Sequence, residues 1–200
     1  DEDTITVTVL EAPVPVMNAA PDPFCSGTPI TFTSTAPGTN VLGWLFSDGD
    51  SSALAQPSHL FDGPGNYMVT LEVGWALNQC TGSITTPVPV SASPTGAFTF
   101  GPPICAPDTV CFDATAQSTD SYTWDFGNSS TEEDPCDLFT APGVFPVSLL
   151  LANADGCTLL LDTVLVVDTL PQAVFSALVL DPCHSPAPVT FANNSTHATG

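Results

Sequence analysis

The chain has 200 residues, no lysine or arginine and 21 acidic residues, so its formal net charge is −21 at pH 7. This composition argues against nucleic acids and anionic membrane surfaces as partners, because both are bound through clusters of lysine and arginine. No apolar stretch reaches the roughly 18–20 residues of a membrane-spanning helix, so none is predicted. The 21 prolines and the scarcity of helix formers indicate an all-β protein.

Similar segments recur along the chain at intervals of about 80 residues. The N-terminal DTITVTV resembles ITTPVPV and LDTVLVV, and Pro13, Pro94 and Pro171 open successive copies of another segment. We therefore predict four parts. Residues 1–11 are the last strand of a preceding repeat, 12–92 and 93–169 are complete repeats, and 170–200 are the first strands of a following, truncated repeat. We call 12–92 the first repeat and 93–169 the second repeat.

Within each repeat, apolar residues alternate with other residues over short runs. One run comprises Tyr67, Val69, Leu71 and Val73, and its counterpart comprises Phe145, Val147, Leu149 and Leu151. A period of two residues predicts strands with one buried face. Roughly seven such strands in about 80 residues, without helical periodicity, predict an Ig-like β-sandwich.

The second repeat contains YTWDFGNSS and then DLFTAPGVFPVSLLLANADGC. These segments resemble the PKD (polycystic kidney disease) domain, whose signature is Trp-Asp-Phe-Gly-Asp-Gly followed by Pro-Gly and an alternating strand. The first repeat departs at Leu45 and Ser47 but retains Asp48-Gly49. The resemblance implies tandem PKD-type β-sandwiches. It also implies extracellular modules that serve as spacers, adhesive arrays, surface-layer components or appendages of secreted hydrolases.

Four of the seven cysteines occupy matching places in the two repeats. Cys25 and Cys105 lie near the start of a repeat, and Cys80 and Cys157 lie near its end. We therefore predict the disulfides Cys25–Cys80 and Cys105–Cys157. Reduced cysteines or a metal site are the alternatives, but no Cys-x2-Cys spacing is present. Disulfides would place the protein outside the cell or at its surface.

Three cysteines lie outside this pattern. Cys111 and Cys136 occur only in the second repeat, on strands that should be neighbours, so they predict a cross-strand disulfide. By this pattern Cys183 is expected to be unpaired in this window. Its partner is expected about 55 residues further along, by the spacing within the repeats.

No catalytic motif of the common hydrolase, metalloprotease or nucleotide-binding types is present, and we predict no enzyme activity. Asp48 and Asp50, in the turn SDGDSS, are weak candidates for a structural calcium site, because Ca²⁺ takes oxygen ligands from loops. Solvated turn acids are the alternative, and no other cofactor is predicted. The glycosylation candidates are three sequon asparagines and four threonines that follow an aspartate: Asn128, Asn193, Asn194, Thr4, Thr109, Thr163 and Thr169.

The second repeat has apolar residues on the side of its strands that should face solvent. These candidates for self-association are Leu150, Leu160, Val164 and Val166, and Trp75 of the first repeat joins them. An apolar surface of this kind is commonly covered by a partner. Another copy of the chain is the partner expected here. An ordinary surface or a contact with the adjacent repeat are the alternatives.

The sequence therefore predicts a structural extracellular repeat protein. It would be the building block of a surface filament, stalk or giant adhesin, and would self-associate through sandwich faces or end strands. Surface glycans are a further candidate partner. The alternative function is a spacer or carbohydrate-binding module of a secreted hydrolase. That function needs an exposed aromatic platform, for which Trp75 is the only obvious candidate.

Overall fold

The computed structural model describes residues 9–75, 80–102, 104–180, 183, 185–186 and 189–196. All its regular elements are β-strands, which confirms the all-β prediction. No helix in these ranges is long and apolar enough to cross a membrane. Most of the strand predicted for residues 1–11, including Thr4, lies outside the described residues.

The first repeat forms two antiparallel sheets. One has the order β1-β2-β5 and the other the order β4-β3-β6-β7. The strands are β1 (Met17–Ala20), β2 (Ile30–Ser34), β3 (Thr39–Phe46), β4 (Ser51–Ser52), β5 (Ser58–His59), β6 (Gly65–Trp75) and β7 (Thr81–Val90). Residues from both sheets share one core: Ile30, Phe32, Trp44, Phe46, Phe61, Val69, Leu71, Val73, Val88 and Val90.

The second repeat has a similar pair of sheets, with the orders β13-β10-β8 and β12-β11-β14-β15-β9. Its strands are β8 (Thr95–Phe100), β9 (Ile104–Ala106), β10 (Asp108–Gln117), β11 (Ser121–Asp125), β12 (Ser129–Ser130), β13 (Cys136–Phe139), β14 (Gly143–Ala152) and β15 (Thr158–Thr169). The last two described strands, β16 (Phe175–Val179) and β17 (Val189–Asn193), form a two-stranded antiparallel sheet.

A buried tryptophan stands at the same point of each repeat. Trp44 and Trp124 are both fully buried. The indole N–H of Trp44 donates to the backbone carbonyl of Leu54 at 3.1 Å, and that of Trp124 donates to the backbone carbonyl of Glu132 at 3.0 Å. A buried indole needs such a partner, so each tryptophan supplies core volume without leaving an unsatisfied donor.

The chain divides into two compact units that do not follow the repeat boundaries. The first unit contains the residues up to Thr95 together with Ala116–Ser121 and Leu151–Leu159, and the second contains Gly96–Thr115, Tyr122–Leu150 and the residues from Leu160 onward. The turn between β14 and β15 therefore belongs to the first unit, although it lies in the second repeat by sequence.

Candidate functional site

A disulfide joins Cys25 of the first repeat to Cys157 of the second. Their Cα atoms are 5.7 Å apart and their sequence separation is 132 residues. The predicted pairings Cys25–Cys80 and Cys105–Cys157 are therefore wrong. Both bonded cysteines lie in the first compact unit.

Strand β7 explains why Cys25 does not pair with Cys80. Cys80 comes directly before β7, whereas Cys25 forms an isolated parallel bridge with Ser91, directly after it. The ten residues of β7 span about 33 Å at about 3.3 Å per residue, whereas disulfide Cα atoms lie within about 7 Å of each other. Cys25 and Cys80 thus stand at opposite ends of one strand.

In the second repeat, Cys105 and Cys157 likewise stand at opposite ends of one strand. Cys105 pairs with Asp168 in the parallel register between β9 and β15, near the end of β15. Cys157 comes directly before the same strand. The sequence placed Cys105 and Cys157 in one repeat, but a full strand length separates them.

Several hydrogen bonds hold the segment around the Cys25–Cys157 disulfide. The backbone N–H of Ser93 donates to Ser26 Oγ at 3.0 Å, and Ser93 Oγ donates to the carbonyl of Ser26 at 2.6 Å. Asn153 Nδ2 donates to the carbonyl of Ala92 at 2.7 Å, and Asn153 Oδ1 accepts the N–H of Cys157 at 2.9 Å. We call Cys25, Ser26, Ser93, Asn153 and Cys157 the junction staple.

Gly156 closes the turn that carries Cys157. Its φ of +87° lies in the left-handed region, and a Cβ built there would lie 3.2 Å from Cγ of Pro23. Both the backbone conformation and the available space therefore favour glycine. The segment Asn-Ala-Asp-Gly-Cys is the only sequence signal for this contact, and it did not reveal the roles of Ser26 and Ser93.

A second disulfide joins Cys111 of β10 to Cys136 of β13. The two residues are direct partners in the antiparallel register, and this is the pairing that the sequence predicts. Thr31 and Ser58 occupy the corresponding positions of the first repeat. Cys183 is exposed, and the position of its partner stays a prediction.

The four apolar candidates for self-association lie on the exposed side of β14 and β15. Leu150, Leu160, Val164 and Val166 have exposed fractions between 37% and 59%. Trp75 is half-buried, and its indole N–H donates to the carbonyl of Glu11 at 3.1 Å. Because its ring also lies against Gly38, Trp75 is engaged within the first unit.

The two calcium candidates lie in the turn between β3 and β4, where a histidine joins them. His59 of β5 places Nε2 2.6 Å from Oδ2 of Asp48, and its Nδ1 lies 4.0 Å from Oδ2 of Asp50. Burial alone would raise the pKa of Asp48. The hydrogen bonds from His59 and from the backbone N–H of Asp50 outweigh it, and the pKa lies below its ordinary value.

The PKD domain family model matches residues 11–90. Residues 11–90 belong to the PKD domain family. Domains of this family are typically non-catalytic modules of extracellular proteins. The match covers the first repeat, including the fully buried Trp44 and the turn that carries Asp48 and Asp50.

Two solved structures are similar to longer parts of the chain. The fibronectin(III)-like modules of Clostridium thermocellum CbhA are 16% identical, with 77% of this chain and 95% of that chain covered and a TM-score of 0.39. Three N-terminal domains of the bacteriophage RB49 highly immunogenic outer capsid protein (Hoc) are 15% identical, with 94% and 70% covered and a TM-score of 0.31. No curated protein matches the chain.

The glycosylation candidates within the described residues are all exposed. They lie in the second repeat and in residues 170–200: Asn128, Asn193, Asn194, Thr109, Thr163 and Thr169. Asn128 Nδ2 donates to both carboxylate oxygens of Asp137, at 3.3 and 3.1 Å. Asn194 Nδ2 donates to Ser176 Oγ at 3.1 Å. Glycosylation at these positions stays a prediction.

Proposed function

We propose that this chain is a covalently stapled segment of an extracellular structural array, such as a surface filament, a stalk or a giant adhesin. The observation that carries the proposal is the Cys25–Cys157 disulfide, which links residues of successive predicted repeats across 132 positions. A disulfide inside one repeat would stabilise that repeat alone. A disulfide from one repeat to the next makes the pair a single mechanical element.

The position of the staple determines which residues can be stretched. When the two termini are pulled, the force passes directly from Cys25 to Cys157. The residues between them, which include most strands of both repeats, bear no end-to-end tension while the bond is intact. Such shielding is useful to a protein that holds a load outside the cell.

Composition supports an extracellular setting. Disulfides persist in oxidising compartments, which lie mainly outside the cytosol. The absence of lysine and arginine also removes every cleavage site of trypsin-like proteases. A chain exposed to secreted proteases benefits from both features.

Copies of the chain would associate through the exposed apolar side of β14 and β15. Leu150, Leu160, Val164 and Val166 make this side apolar, whereas Glu72, Ser83, Pro87 and Pro89 occupy the corresponding sites of the first repeat. The net charge of −21 opposes association at low ionic strength, and salt reduces this repulsion. Association is therefore expected to increase with salt.

Negative-stain electron microscopy of the purified chain at low and high ionic strength tests this function. Filaments or lateral assemblies at high salt, lost in the double variant Leu150→Ser/Leu160→Ser, would support it. The double variant Leu138→Ser/Val144→Ser, which changes two other exposed apolar residues, is the matched control. Separate short particles under all conditions would contradict self-association.

The carbohydrate-binding alternative lacks support at its one candidate residue. Trp44 and Trp124 are buried, and the indole of Trp75 is bonded to Glu11 and packed on Gly38. The described tryptophans therefore provide no open platform on which a sugar ring could stack.

A further inference from the structure

Three side chains that can ligate a metal converge at one end of the first repeat. A ring nitrogen of His59 and one carboxylate oxygen each from Asp48 and Asp50 all lie within 4.8 Å of one another. The two aspartates come from the turn between β3 and β4, and His59 comes from β5 in the facing sheet. The fold thus gathers them from separate parts of the sequence.

The imidazole of His59 is held in place by two aromatic rings. It stacks on Phe46 with ring centroids 4.0 Å apart and an interplanar angle of 12°. It also meets Phe61 edge-on, at 4.6 Å and 82°. Because only 11% of its side chain is exposed, the ring is positioned before any ligand arrives. A ligand that is already oriented loses little entropy on binding.

The two carboxylates differ in their freedom. Asp48 is oriented because its Oδ1 accepts the backbone N–H of Asp50 at 3.2 Å, while its Oδ2 faces His59. Asp50 has a side chain that is 78% exposed, so it can rotate to complete a coordination sphere. The ligand atoms of a tetrahedral ion with bonds of about 2.0 Å lie about 3.3 Å apart. The present atoms lie within 4.8 Å of one another, so a shift of up to about 1.5 Å brings them to that spacing.

No basic side chain competes for these carboxylates, because the chain has no lysine or arginine. Here the charge of −21 attracts cations to the whole surface. The imidazole then determines which cation is held most tightly at this position.

We propose that Asp48, Asp50 and His59 form a binding site for a borderline divalent transition ion, such as Zn²⁺ or Cu²⁺, with water completing the coordination. Imidazole nitrogen is a preferred ligand of these ions, whereas Ca²⁺ takes six to eight oxygen ligands. This site replaces the oxygen-only calcium site expected from Asp48 and Asp50. It is independent of the proposed structural function.

The second repeat shows what the same position does without a histidine. Asp137 stands opposite Val110 in the sheet register, just as His59 stands opposite Ile30. Its carboxylate accepts both hydrogen bonds from the Asn128 amide. An amide–carboxylate pair therefore closes the turn there, and it provides a model for a substitution that keeps the fold and removes the nitrogen ligand.

Calorimetric titration of the full chain, prepared without a histidine tag and with its accessible thiols alkylated, tests the site. The probes are ZnCl₂ and CaCl₂ at physiological salt. We expect one Zn²⁺ site that binds at least about tenfold more tightly than Ca²⁺. His59→Asn, which preserves a hydrogen bond to Asp48, and Asp50→Asn should each weaken Zn²⁺ binding by at least about tenfold. Glu72→Gln removes one negative charge elsewhere in this unit and should leave binding unchanged.

A spectroscopic readout separates this site from other ligands on the chain. With Cu²⁺ at one equivalent, the electron paramagnetic resonance spectrum should show hyperfine coupling to one imidazole nitrogen, and His59→Asn should abolish it. Zn²⁺ affinity that is equal in wild type and His59→Asn would overturn the proposal. So would Ca²⁺ affinity equal to that of Zn²⁺. Near-ultraviolet circular dichroism of each variant establishes that it is folded.

Discussion

Asn153 and Ala92 are 61 residues apart in the sequence, yet the side-chain amide of Asn153 donates to the Ala92 carbonyl at 2.7 Å. The same side chain accepts the N–H of Cys157. One asparagine thereby connects the turn that carries a bonded cysteine to the segment that leads from the first repeat into the second. Removing the Asn153 side chain should therefore destabilise the junction staple more than it destabilises the hydrophobic cores.

Replacing Asn153 with alanine should lower the free energy of unfolding of the first unit by about 1–3 kcal/mol, because a carbonyl and a backbone N–H lose their partner. Urea unfolding followed by tryptophan fluorescence measures this loss. Asn194→Ala, at an exposed site in the β16–β17 region, is the control and should change stability little. Equal stability of wild type and Asn153→Ala would show that water replaces both hydrogen bonds.

The two disulfides should contribute differently to stability. In the chain-entropy model, the Cys25–Cys157 loop of 132 residues is worth about 5 kcal/mol and the Cys111–Cys136 loop of 25 residues about 3.5 kcal/mol. The double variant Cys25→Ala/Cys157→Ala should therefore melt at a lower temperature than Cys111→Ala/Cys136→Ala. Differential scanning calorimetry of both variants tests the order. A reversed order would indicate that the longer loop is already constrained in the unfolded chain.

Single-molecule force spectroscopy should detect the shielded segment. When an oxidised chain is pulled from its termini, the residues between Cys25 and Cys157 should stay hidden, and reduction of both disulfides should lengthen the extended chain by about 460 Å. Cys111→Ala/Cys136→Ala should leave the oxidised length unchanged, because that smaller loop lies inside the larger one. An oxidised chain that reaches full extension would contradict the Cys25–Cys157 pairing.

Acid should weaken the link between Asp48 and His59. The pKa of Asp48 is lower in the folded state than in the unfolded state, so its contribution to stability is present above the unfolded pKa of about 3.9. This contribution is lost as the pH falls through the folded value. Asp48→Asn should therefore be less stable than wild type near pH 6, and the difference should shrink below about pH 4. Chemical denaturation at several pH values tests this, with Glu72→Gln as the control for charge.

Substituting Gly156 with alanine should destabilise the turn before Cys157 by about 1–2 kcal/mol, because a side chain is disfavoured at positive φ. The added methyl group would also meet Pro23 at 3.2 Å. Thermal unfolding of the oxidised protein measures the loss. Gly101→Ala is the matched control, because its Cβ would meet nothing within 4 Å. A loss of equal size at both positions would rule out a specific role for Gly156.

Local patterns in the sequence were sufficient to predict the alternating strands and the Cys111–Cys136 disulfide. Alternation determines which side of a strand is buried, and Cys111 alternates with the buried Val110 and Phe112. Its partner follows from the expected order of neighbouring strands. Pro87 and Pro89, which have no backbone N–H to donate, lie in β7 at the edge of its sheet.

The Cys25–Cys157 pairing could not be predicted in this way. Matching positions in two repeats show which cysteines are equivalent, but they do not show which end of a strand each one occupies. That information depends on the parallel bridge between Cys25 and Ser91, which has no sequence pattern of its own. The contact between Asp48 and His59 was also missed. His59 corresponds to Asp137 in the second repeat, so comparison of the repeats did not indicate a role for a histidine at this position.

The junction staple also imposes an order on biosynthesis. Cys157 is made after Cys25, and at about 5–20 residues per second the delay is about 7–26 s. Cys80 is made within that interval, 55 residues after Cys25. In the folded first repeat, β7 keeps Cys80 a full strand length from Cys25, too far for a bond between them. The Cys25–Cys157 bond forms only when the turn before β15 has been made. The first compact unit is therefore completed by residues of the second repeat.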